Sequence, residues 1–246
     1  MRHDAARLVA LAGSISTCPY SRGYNERVSS NLPVITPEGD RAARVEFGNV
    51  IDPVVNRRVH RFCRAIDEAC IDGVDECVPA FATAVVYFDS RTTAFDEVAA
   101  RLTEIATVDG GDVDIEIGQL IEIPVMYGDE FGPDLERLSL LHGIGASDVI
   151  ELHSGTEYLC YMVGFMPGFP YLGELPPSIR TARLSTPRTR VPAGSVAIAD
   201  GQTGIYPRET PGGWNVIGRT SLQLFDPAAD PPSLIKPGDR VRFVPI

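Results

Sequence analysis

GFMPGFPYLG at residues 164–173 and PRTRVPAGSVAIADGQTGIYPRETPGGWNVIGRT at residues 187–220 open and close the segment that decides how this chain is built. Residues 164–220 are under a quarter of the length, yet they hold 9 of the 23 glycines and 8 of the 20 prolines. Glycine reaches backbone angles that a Cβ forbids, and proline fixes φ and removes a donor. So dense a mixture excludes long regular elements. It predicts fixed turns and irregular loops between short strands, the arrangement in which loops on a rigid scaffold carry function.

Working outward, more short strands are expected at residues 158–163, 195–199, 214–217, 222–225 and 240–244. KPGDRVRFVPI at the end reads as a tight turn at Pro237-Gly238 and a terminal strand. Upstream, residues 134–141 form a short amphipathic helix ended by Gly143, and Ser147-Asp148 opens another turn running to His153. Many short strands with Gly/Pro punctuation and few helices point to a closed or nearly closed β-barrel over residues 123–246, with Pro124 at its boundary.

Residues 32–122 read differently. Residues 43–47 are a short strand. Asp52-Pro53 is an N-cap followed by proline at the first helical position. Val55, Val59, Phe62, Ile66 and Ala69 then recur at helical spacing, and Gly73 closes the helix. Two β-rich runs follow, 74–78 and 84–88. Thr93 caps a second helix with Phe95, Val98, Leu102 and Ile105 on one face. Val113, Ile115 and Ile117 alternate with acidic residues as in a half-buried strand. The order βαββαβ is ferredoxin-like, so the fold class is an α+β N-terminal ferredoxin-like domain before a mainly-β barrel. Residues 1–31 read as a mobile extension ahead of both.

The chain has 246 residues, 44% of them apolar, and a net charge of −11. That charge argues against nucleic acid and anionic membrane as partners, since phosphate binding needs clustered Lys and Arg. Arginine clusters only locally, at Arg180, Arg183, Arg188 and Arg190. Five cysteines without CxxC spacing fit a reduced, cytoplasmic protein with no metal site. No apolar run approaches the roughly 18 residues of a membrane span.

There is no GxSxG elbow for a serine nucleophile, and Ser195 in PAGSVAI reads as a strand-head hydrogen bonder. There is no Walker A loop and no GxGxxG. His153 stands at a helix-to-strand junction, either as a core or capping histidine or as an acid/base. Arg188, in TPRTRVP, is either surface charge or a guanidinium fork for carboxylate or phosphate. Phe165, Phe169, Tyr171, Tyr206 and Trp214 either line an apolar groove or fill the barrel core. Gln202-Thr203, between two glycines, sets uncharged donors and acceptors in a constrained turn. Together these residues compose a candidate pocket with aromatic walls.

At these residues the chain resembles the B-subunit family of 5-oxoprolinase, also called KipI or allophanate hydrolase subunit 1. The resemblance is carried by the blocks quoted above and by VEFGNVID, NRRV, GVDECVPAFAT, IPVMYGDEFGPDL, VIELHSGTEYLCYMVGF and LFDPAADPPSLIKPGDRVRFVPI, from about residue 33 to the end. Phe81 stands where the family often has tyrosine, and Thr210 where serine is usual. The family implies a cyclophilin-like barrel and a heteromer with the 5-oxoprolinase C-subunit (allophanate hydrolase subunit 2) and the A-subunit. That complex opens the lactam of 5-oxo-L-proline to L-glutamate, with Mg-bound ATP as co-substrate. By resemblance, His153 is expected to act as acid/base and Arg188 to hold a carboxylate or phosphate. Gln202 and Thr203 are expected to orient the substrate amide, with Arg219 nearby and the aromatic residues as walls. The namesake KipI instead inhibits a sporulation histidine kinase, so a regulatory binding module is the alternative. Prolyl isomerase rests on fold analogy alone. A role in urea metabolism lacks a biotin-acceptor motif in this chain.

Overall fold

A computed structural model describes residues 32–107 and 118–246. The first part holds strands β1 (Val34–Pro37) and β2 (Ala42–Glu46), helix α1 (Pro53–Ala69), strands β3 (Val74–Pro79) and β4 (Thr83–Phe88), and helix α2 (Phe95–Thr107). The strands form an antiparallel sheet in the order β1-β2-β4-β3. Val59, Phe62 and Ile66 of α1 and Val98 and Leu102 of α2 pack with Val45, Ala84 and Val86 of the sheet. Each such valine, leucine, isoleucine or phenylalanine side chain taken out of water contributes about 2 kcal/mol.

Helix α1 starts where the sequence says. Asp52 sits at φ −141°, and its Oδ1 accepts from the backbone of Val54 at 2.8 Å and of Val55 at 3.0 Å. The helix ends earlier than Gly73, at Cys70 in the left-handed region, and Gly73 (φ +80°) takes the turn into β3 instead. Edge strand β1 has no counterpart among the expected strands. The expected strand at residues 113–117 lies outside the described residues, as does the extension at 1–31, so the described part is an α+β layer of order ββαββα.

The second part is a closed seven-stranded barrel. Its strands are β5 (Leu120–Tyr127), β6 (Glu157–Val163), β7 (Pro170–Gly173), β9 (Ser195–Ala199), β10 (Gln202–Ile205), β12 (Asn215–Arg219) and β13 (Arg240–Pro245). They close in the order β10-β7-β6-β13-β5-β12-β9, every pair antiparallel except β13 with β5. A separate two-stranded ribbon, β8 (Arg188–Val191) with β11 (Thr210–Gly212), accompanies it. Helices α3 (Leu135–His142) and α4 (Ala146–Ser154) pack Leu135, Leu138 and Val149 into the cluster that fills the barrel.

Two expectations change here, and a third is filled in. Pro124 lies inside β5, opposite Val244 of β13, because the β12 ladder reaches β5 only at Met126 and Tyr127 and leaves that N–H-free position unneeded. Residues 222–225 are not a strand; one bridge, Phe225 to Ser233, is all the pairing they have. The Gly/Pro-rich segment contains strands of three to five residues, two of which, β7 and β10, are masked in the sequence by their glycines and prolines. Among the described residues no helix is long and apolar enough to cross a membrane.

Candidate functional site

The pleat of β10 sorts its residues by side. Thr203 and Ile205 point into the barrel, so Gln202 and Gly204 lie on its outer face. In register there, Gln202 faces Ala199 on one side and Gly173 on the other, and Gly204 faces Ala197 and Tyr171. Small residues therefore floor this face across three strands, and rings stand on it. A Cβ at Gly204 would fall 2.9 Å from the Phe169 ring, which is why no larger residue stands there.

The rings interlock edge to face. Phe169 is 4.9 Å from Tyr171, 5.2 Å from Tyr206 and 5.5 Å from Trp214, centroid to centroid. Phe165, at φ +66° and 63% exposed, stands beside Phe169 at 5.6 Å. Phe81, in the turn between β3 and β4, reaches across to Tyr161 at 5.8 Å and Tyr171 at 5.7 Å. The α+β layer thus supplies one wall. Its position is held by Asn56, whose Nδ2 lies 3.1–3.2 Å from the carbonyls of Ala80, Phe81 and Tyr161, and by His60 Nε2, 2.7 Å from the same Tyr161 carbonyl.

Arg183 closes the rim, with its guanidinium 5.8 Å from the Trp214 ring and an ion pair to Asp200 at 3.4 Å. Burial raises the phenol pKa of both Tyr171 and Tyr206, so both stay neutral donors. Gln202 is 8% exposed, and its Nε2 is buried with no partner among the described residues. An unsatisfied buried amide is costly, roughly 1–3 kcal/mol, and such a group marks a place where a ligand acceptor fits. The ring wall suits a small, flat-sided molecule.

His153 is not part of this surface, which corrects its expected acid/base role. It lies fully buried in the barrel, stacked on Phe243 at 4.5 Å. Its Nε2 is 2.9 Å from Thr203 Oγ1, which donates to the Ala197 carbonyl at 3.1 Å, and its Nδ1 is 2.7 Å from the Tyr127 hydroxyl. Thr203, having spent its hydrogen, accepts from Nε2–H, and Tyr127 donates to Nδ1. Desolvation lowers the pKa to about 3, holding the ring neutral. The sequence carries a signal of this: Val149 and His153, four residues apart on α4, share its buried face.

Thr203 is fully buried with it and does not orient a substrate. Arg188 is also placed otherwise than expected. Its Nη2 donates to Asp134 Oδ1 at 2.8 Å, and Asp134 Oδ2 accepts from Val216 N at 2.7 Å. The guanidinium neutralises a carboxylate 4% exposed, so it is a structural ion pair, with a buried Nη1 left unspent. Arg219 pairs across from Ser195, at the opposite end of β9 from the residue facing Gln202, and stacks on Phe131 at 5.6 Å. The structure therefore gathers Phe165, Phe169, Tyr171, Tyr206 and Trp214, sets Gln202 on the same outer face of β10, keeps Arg188 beside Tyr206 but committed to Asp134, and separates His153, Thr203 and Arg219 from them. Sequence reasoning misses Phe81, Tyr161 and Arg183; Phe81 stands out only as a departure from the family pattern.

Among the described residues no group of three His, Cys, Asp or Glu side chains is placed to hold a metal ion. Residues 33–235 match the family described as carboxyltransferase domain, subdomain C and D. The chain is 43% identical over 223 residues to the 5-oxoprolinase B-subunit of Bacillus subtilis (strain 168), covering 85% of this chain and 90% of that one. It is 57% identical over 127 residues to the 5-oxoprolinase B-subunit of Escherichia coli O157:H7, covering 52% of this chain and 58% of that one. The crystal structure of TTHA0988 superposes with a TM-score of 0.73 at 35% identity, over 84% of this chain but 40% of that longer one. With matched blocks running from the α+β layer through the barrel, the chain belongs to the B-subunit family of 5-oxoprolinase.

Proposed function

We propose that this chain is one subunit of an ATP-dependent 5-oxoprolinase that opens 5-oxo-L-proline to L-glutamate, working in the cytoplasm with the C-subunit and the A-subunit. The observation that carries this reading is the 43% identity across nearly the whole of the Bacillus subtilis 5-oxoprolinase B-subunit. The chemistry of the outer face supports it. A five-membered lactam is flat and apolar on both sides, suited to a wall of Tyr171, Tyr206 and Trp214, with its carbonyl toward the unpartnered Gln202 amide.

The same face does not fit ATP. Its cations are engaged, Arg183 by Asp200 and Arg188 by Asp134. Its walls carry no imidazole, since His153 is sealed in the barrel. This chain's residues bind and orient the lactam and exclude water from its faces; nucleotide and proton-transfer groups come from the other members of the complex. On its own the chain is accordingly inactive.

The test is 5-oxoproline-dependent ADP and glutamate release by this chain alone, then with the C-subunit, then with the A-subunit added. Turnover restricted to the full mixture supports the proposal. A stable complex without turnover sinks it in favour of a KipI-like regulatory module.

A further inference from the structure

A cleft of about 820 Å³ lies between the α+β layer and one end of the barrel, lined by none of the rings of the aromatic face. One wall is a stripe of α1. Arg57, His60, Arg64 and Asp67 recur at intervals of three and four, so they share one side of the helix, with Arg57 and Arg64 about 10 Å apart along its axis. The other wall is the turn before β13, where Lys236 and Asp239 stand. The walls are fixed relative to each other by Asn56 and His60, which hold the Tyr161 carbonyl of β6.

The charges of the cleft are unusually idle. Arg190, Arg240 and Arg242 each meet a carboxylate within 3.3 Å elsewhere on the surface. Arg57, Arg64 and Lys236 are exposed and meet none among the described residues. Asp239 is buried, and its two carboxylate oxygens accept from Gln119 N at 3.2 Å and Lys236 N at 2.9 Å. Those backbone hydrogen bonds leave the Asp239 charge uncancelled, so with Asp67 the lining holds two carboxylates against the three cations Arg57, Arg64 and Lys236, an excess of one positive charge. This occurs in a chain of net charge −11. Cations held apart on facing walls, in excess of the acids there and in no ion pair among the described residues, are arranged for a shared anionic guest. The volume is that of a small-molecule site, within the range of about 300–1,000 Å³.

We propose that this cleft binds a small molecule carrying two or more negative charges, a phosphate ester or a polycarboxylate, with Arg57 and Arg64 taking its oxyanions from α1 and Lys236 from the facing wall. The site is separate from the lactam-binding face, and its test needs no turnover.

Calorimetry on the full chain, at physiological ionic strength, with pyrophosphate and with citrate as probes, decides it. The expected result is saturable one-to-one binding of at least one probe. Arg64→Gln and Lys236→Gln should each weaken it tenfold or more, while Arg101→Gln on α2 leaves it unchanged. Whichever probe binds more tightly identifies the guest as phosphate-bearing or polycarboxylate. No saturable binding of either probe, or equal weakening by all three substitutions, overturns the proposal. All three positions are exposed, so the variants fold like the parent.

Discussion

His153 Nε2 lies 2.9 Å from Thr203 Oγ1, and this contact joins the helix that plugs the barrel to the strand whose other side faces the candidate site. Because Thr203 spends its own hydrogen on Ala197, the contact also fixes the ring tautomer, with the proton on Nε2. A residue that looks catalytic in the sequence is a core strut in the fold.

Protonation of His153 should therefore destabilise the protein. Its folded pKa, about 3, lies below the ordinary value of 6.5. The unfolded chain binds the extra proton first, so the contribution is fully present above pH 6.5 and is lost as pH falls toward 3. The slope is at most about 1.4 kcal/mol per pH unit. Urea midpoints at pH 7 and 5 should differ more in the parent than in His153→Gln, and equal shifts would refute the assignment. In NMR, the imidazole signals should not titrate between pH 5.5 and 8.

Arg188 and Arg190 are two residues apart yet should behave oppositely. Arg188→Ala leaves the buried Asp134 carboxylate with only the longer pair to Arg137 at 3.8 Å and the Val216 N–H, and should cost about 2 kcal/mol, discounted for the partial exposure of the arginine. Arg190→Ala breaks an exposed pair with Glu209 and should cost less than about 0.5 kcal/mol. Chemical denaturation of the two variants compares them directly.

Gln202→Met should separate stability from function. It removes a buried amide nitrogen that has no partner among the described residues, so the melting temperature should hold or rise. If Gln202 meets the substrate, the assembled complex should lose roughly tenfold to a hundredfold in kcat/KM. Unchanged turnover would remove Gln202 from the site.

Asn56→Ala should loosen the junction rather than the barrel. Three carbonyls share its amide, and losing it should cost about 2 kcal/mol. Hydrogen exchange should quicken around Phe81 and stay slow at Val196–Ile198. Uniform quickening would mean that the two layers unfold as one unit.

Much of the architecture is legible because it is local. Asp52-Pro53 announces α1, since capping and the missing proline N–H act within one turn. The run of glycines and prolines announces short strands and fixed loops. The short strands β7 and β10 are not legible as strands, because Gly173 and Gly204 have poor β propensity. They are there because neighbouring rings leave no room for a Cβ, a condition set by residues far away in sequence.

By itself, the sequence determined that an α+β part precedes a β-barrel, the bounds of α1 within a few residues, which aromatic and amide residues to look for in the candidate site, and the family. Only tertiary structure decided which side of each strand faced outward, and with it the fate of every charged candidate. Arg188 and Asp134 lie 54 residues apart and meet only when the barrel closes. His153 is neutral because closure strips water from it, not because of any sequence neighbour. Burial and pairing depend on what the rest of the chain brings alongside, and a one-dimensional pattern carries that information only weakly.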